Sequence, residues 1–103
     1  MTEDFRPIKR DERIPPEADF ALVLGDSAME PLLHRGQTVY VSCRMPLREG
    51  DVGLFLTEGQ VYCRRWYEDY NGALVLLGGD ERDCLYLDRE QRRRCLCLGK
   101  VLI

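Results

Sequence analysis

Apolar residues in this chain come in short runs, each stopped by a turn signal, with no long stretch at helical spacing. Phe20–Gly25 is apolar up to its glycine, as a buried strand would be. Gln37–Ser42 alternates and is rich in β-branched and aromatic side chains, which suit a pleated, half-buried surface. Val52–Thr57 and Gln60–Trp66 flank Glu58-Gly59, the pattern of a hairpin. Ala73–Leu77 is a further strand, entered from the turn Tyr70-Asn71-Gly72 and closed by Gly78-Gly79-Asp80. Cys84–Leu87 reads as a short strand and Cys95–Ile103 as a last one, with Gly99 marking a bulge. Arg48–Asp51 is a turn, and Met29–His34, with Pro31 near its start, has room for one helical turn. The expected fold is mainly β, with short strands, hairpins and at most one or two short helical turns.

Residues 1–19 show no such period. They hold Pro7, Pro15 and Pro16 among freely mixed charges and read as an N-terminal tail or linker, with 20–103 as the domain. At 103 residues a single modest core is feasible. The net charge of −3 does not favour polyanions, and nothing in the sequence forms the basic face expected of a stand-alone DNA binder. No apolar run approaches the roughly 20 residues that span a bilayer, and the start lacks a signal-peptide core, so a cytoplasmic location and no membrane partner are expected. The charged run Glu90–Arg94 reads as a solvated turn. The five cysteines, with no secretion signal, are expected to be reduced thiols acting as small apolar side chains. Cys95-Leu96-Cys97 and one histidine make a poor zinc set, and neither metal nor cofactor is expected.

The most informative segment is Phe20-Ala21-Leu22-Val23-Leu24-Gly25-Asp26-Ser27-Ala28-Met29-Glu30-Pro31. It resembles the nucleophile segment of the LexA-type self-cleaving repressors and their signal-peptidase-like relatives. Further elements follow in that family's order: Arg35–Val41, Glu49–Phe55, the hairpin strand Val61-Tyr62-Cys63-Arg64, and the closing Leu98-Gly99-Lys100-Val101. The resemblance covers about residues 19–103 and implies the LexA/signal-peptidase-like β-ribbon fold. It also implies a serine nucleophile, with a neutral lysine taking the serine's proton.

The residues present depart from that chemistry. A serine hydroxyl needs an adjacent base, and Arg64 stands at the family's lysine position. Guanidinium stays protonated at physiological pH and cannot accept a proton. Lys9 and Lys100 match no family position, and His34 reads as an exposed side chain near a turn. Counting without gaps from Phe20 puts Ala28 at the family's serine, and a one-residue slip would turn side chains to the other face. Counting from Gly25-Asp26 restores Ser27, with one residue inserted before Met29. Residues 1–19 contain no glycine, so the small-residue–Gly bond that such repressors cut is not expected there. Arg64 is expected to pair with a carboxylate such as Asp26.

Three functions compete. The first is a catalytically inactive domain serving as an oligomerisation or regulatory module of a helix-turn-helix repressor. It would be a homodimer, touching DNA only through a helix-turn-helix segment absent from this sequence, and Leu98–Ile103 would pair across a two-fold axis by its strand edge or its face. The second is an active serine peptidase, self-cleaving or otherwise, using Ser27. The third is a peptide-binding module whose cleft would draw on Asp26, Met29, Tyr62 and Trp66, with Tyr67 nearby.

Overall fold

The computed structural model describes residues 14–80 and 83–103, and the backbone of 4–6. Eight strands form one antiparallel sheet: β1 (Asp4–Arg6), β2 (Phe20–Val23), β3 (Thr38–Ser42), β4 (Val52–Thr57), β5 (Gln60–Glu68), β6 (Leu74–Leu77), β7 (Cys84–Leu87) and β8 (Leu96–Leu102). Among the described residues a single short helix, α1 (Arg89–Arg93), precedes β8. Across the sheet the order is β1-β2-β3-β8-β4-β5-β6-β7. Two meanders, β1–β3 and β4–β7, are therefore joined through β8.

The expected strands form, with ends shifted by a residue or two. Glu58 and Gly59 make the two-residue connection of β4 to β5, with φ of 52° and 75°. Positive φ at both positions matches the right-handed twist of the strands they join. The bulge lies where Gly99 predicts it: Leu54 pairs with Gly99 but Phe55 pairs with Cys97, so Leu98 is the extra residue. A Cβ on Gly99 would sit 2.6 Å from Val41 Cγ1 and 2.7 Å from the Ser42 carbonyl oxygen. Only glycine lets β8 come this close to β3.

Three expectations change. Within the stretch read as a tail, Asp4–Arg6 is an edge strand paired with β2, while residues 1–3 and 7–13 lie outside the described residues. The run Glu90–Arg94 is mostly helix rather than turn. Asp88 caps it, accepting from the Gln91 amide, while the Gln91 side chain accepts from the Asp88 amide. Leu98–Ile103 is expected to pair between copies by its edge or its face, but β8 has β3 on one side and β4 on the other, which leaves only a face. Both of its hydrogen-bonding edges are used, and the sheet's free edges belong to β1 and β7.

The core has two clusters. The larger joins Leu22, Leu24, Met29, Leu33, Val39, Val41, Val52, Leu54, Cys63 and Val101, and ties the β2–β3 loop to the centre of the sheet. The smaller is Phe55, Leu74, Leu76 and Leu87, with Trp66 packed against it. Each fully buried leucine or phenylalanine contributes about 1.5–3 kcal/mol by leaving water, which anchors the loop carrying Asp26–Pro31 from beneath.

Candidate functional site

Met29 fixes this loop. It is 1% exposed and sits in the larger cluster, so it is core rather than the wall of an open cleft. Around it the backbone turns tightly: the Glu30 amide donates to the Ser27 carbonyl at 3.1 Å and the Leu33 amide to the Met29 carbonyl at 3.1 Å. That second bond is the single helical turn expected at Met29–His34; no longer helix forms there. Asp26 caps the segment through its Oδ1, which accepts from the Ala28 amide at 3.2 Å. Ser27 is exposed and Ala28 is half-buried. Among the described residues the Ser27 side chain has no hydrogen-bond partner.

The β6–β7 connection crosses this loop. The Gly79 amide donates to the Ala28 carbonyl at 2.8 Å. A Cβ on Gly78 would lie 2.6 Å from that same oxygen, and one on Gly79 would press on the carbonyls of Met29 and Glu30. The two glycines are thus required by a backbone-on-backbone contact, a role their reading as strand-closing residues did not include.

Arg64 comes up from β5 on the opposite side of the strand from Cys63. It is 3% exposed, which is rare for an arginine. Its Nη1 donates to the Cys63 carbonyl at 2.8 Å and its Nη2 to Asp83 Oδ2 at 3.2 Å. Asp26 Oδ2 lies 3.9 Å from the same Nη2, so the expected Asp26 partner is present but more distant than Asp83. The guanidinium carbon stands 5.4 Å from the centre of the Tyr62 ring. Nε is buried without a hydrogen-bond partner among the described residues. One cation thus draws the loop after β2 and the start of β7 onto β5. It holds two acidic side chains, 23% and 40% exposed, against a buried charge.

Asp83 was missed by sequence reasoning. It follows Glu81-Arg82 in a polar stretch with no periodicity, and its partner is 19 residues away. No local signal names it. Of the aromatic residues considered for a cleft, Tyr62 is half-buried, with its hydroxyl 3.1 Å from Gln60 Oε1, and Trp66 packs on the smaller cluster. His34 is exposed, with Nδ1 3.8 Å from Glu30 Oε2. Lys100 reaches Asp51 at 3.4 Å, and Lys9 lies outside the described residues. The Asp51 carboxyl is held below its ordinary range, first by the Arg48 amide, against the opposing effect of burial, and then by Lys100.

Two shallow grooves, of about 350 and 360 Å³, flank Met45, one lined by Lys100 and Ile103 and the other by Pro16 and Pro46. Neither includes Ser27, Ala28 or Arg64. No group of three or more His, Cys, Asp or Glu side chains among the described residues is arranged to hold a metal ion. No helix among them is long and apolar enough to cross a membrane.

An antiparallel ribbon with a Gly-Asp-Ser-Ala-Met-Glu-Pro loop beside a buried hairpin cation defines a peptidase-like domain of the LexA type. The family model described as Peptidase S24-like matches residues 2–101, and the chain belongs to that family. No curated protein matches it.

Proposed function

We propose that this Peptidase S24-like domain has lost peptidase chemistry and serves as a self-associating regulatory module of a helix-turn-helix transcriptional repressor. The observation that carries this reading is Arg64. A buried guanidinium at the family's lysine position, held by Asp83 and Asp26, donates hydrogen bonds and accepts none. The hydroxyl of Ser27 is exposed to water, and Ala28, at the family's serine position in the gapless count, has no nucleophile. Arg64 and its two carboxylates replace a proton-transfer pair with a structural one. What the domain then offers its family context is a rigid sheet on which two copies associate, raising the effective concentration of paired DNA-binding segments.

The test is chemical. The protein is incubated with a serine-directed acylating probe across neutral to alkaline pH and its intact mass is read. No adduct is expected; an adduct mapped to Ser27 that disappears in Ser27→Ala would show an active nucleophile and overturn the reading. Sedimentation over a range of concentrations checks self-association, and a monomer throughout would remove the regulatory half of the proposal.

A further inference from the structure

The cysteines depart from their expected role. Cys63 is core and Cys95 is half-buried beside the smaller cluster, but Cys43, Cys84 and Cys97 are exposed. Two of these three converge. Ser42 pairs with Lys100 as the last pair of the β3–β8 ladder, and the chain leaves β3 at Cys43, beside the bulge of β8. The Gly99 bulge brings the β8 backbone against Val41 and Ser42 at this point. The Cys43 thiol donates to the Leu98 carbonyl at 3.5 Å, and the Cys97 thiol contacts the Gly99 carbonyl at 4.0 Å. Both sulfurs therefore rest on two successive carbonyls of the bulge.

We propose that Cys43 and Cys97 are a thiol modification site that closes to an intrachain disulfide under a peroxide oxidant and reopens with thiol reductant. The atoms balance in two steps. One thiol reacts with hydrogen peroxide, giving a sulfenic acid and one water; the second thiol then attacks the sulfenic sulfur, forming the S–S bond and releasing a second water. Two thiol hydrogens and two electrons leave the protein, and the peroxide is reduced. Burial pushes the Cys97 thiol up, a contact with Gly99 pulls the other way, and the nearby Cys43 adds to the rise. Either thiol can meet the oxidant first, with the other resolving the sulfenic acid. Cys95 is the weaker partner, since it is half-buried beside the smaller cluster and separated from Cys97 by one residue. Closure would tie the start of the β3–β4 connection, already held where the Cys43 amide donates to Asp19 Oδ2 at 2.6 Å, to the central strand.

The experiment treats the folded chain with hydrogen peroxide, unfolds it in the presence of an alkylating agent so that buried Cys63 also reacts, and maps peptides without reduction. The expected result is two fewer alkylatable thiols than the five of the reduced chain, a Cys43–Cys97 linked peptide, and recovery with dithiothreitol. Cys43→Ser should abolish the link, while Cys84→Ser, at an exposed position on β7, should leave it intact. Five alkylatable thiols at a peroxide dose that oxidises free cysteine would overturn the proposal. So would a link between chains, a Cys95–Cys97 link, or oxidation of Cys43 beyond the sulfenic acid with Cys97 unreacted.

Discussion

Two carboxylate-centred networks lie along the long strand β5, one past its end and one at its middle. Beyond its C-terminal end, Asp69 accepts from the Asn71 amide and the Ala73 amide, both at 2.9 Å, and from the Tyr86 hydroxyl at 3.1 Å. Nearer the middle, Asp26 and Asp83 meet the guanidinium of Arg64. The first network is mostly local, and water reaches it. The second joins three segments far apart in sequence around a buried charge. A local network can lose a member and let water replace it. A buried one leaves a charge or a donor stranded.

Four substitutions sharpen that contrast. Arg64→Ala should cost the most, about 3 kcal/mol of unfolding free energy by urea titration, because it leaves a cavity and two unneutralised carboxylates. A cost below that of any change at Asp69 would reverse the ranking of the two networks. Gly79→Ala comes next at about 2 kcal/mol, since the new methyl presses on backbone carbonyls that cannot give way easily. Asp83→Asn should cost about 1 kcal/mol, held down by partial solvent exposure. Asp26→Asn should cost less, because its oxygen is 3.9 Å from the guanidinium rather than 3.2 Å. An equal or larger loss at Asp26 would show that the longer ion pair is the stronger one, since Asn keeps an acceptor for the Ala28 amide.

The smallest effect is expected at Tyr86→Phe, read by the titration of Asp69 in NMR spectra. The Asp69 carboxyl is held below its ordinary range chiefly by the Ala73 amide, with burial opposing and the Tyr86 hydroxyl adding to the lowering. Removing the hydroxyl should bring the midpoint up by the minor share of the displacement. The sign for stability follows: a carboxyl depressed in the folded state stabilises fully above its unfolded value, about 3.9. That contribution is lost as pH falls through the folded value. A midpoint unmoved by Tyr86→Phe would remove the hydroxyl from the network.

Legibility follows the same division. Glu58-Gly59 and the Asp69–Ala73 turn were readable because each is decided by residues in immediate sequence, through φ at two positions or a side chain reaching its near neighbours. The position of Arg64 in the hairpin was readable from the resemblance, and so was Asp26 as a carboxylate within its reach. Asp83 was not, since nothing in a polar turn announces a distant cation. Helix α1 does carry a local signal, since Asp88 followed three residues later by Gln91 is a capping-box spacing, but it is set in a run of arginines with no apolar period. The insertion of β8 between β3 and β4 was beyond local reading, because strand neighbours far apart in sequence are chosen by the whole sheet.

That insertion also shapes how the chain acquires its form. Each meander is built from neighbours in sequence and can zip up early, yet β3 and β4 each keep a bare inner rim until the strand emerging after α1 slots between them. On the ribosome both rims stay open until β8 has emerged. They are the places where nascent copies would stick to one another before the central strand arrives.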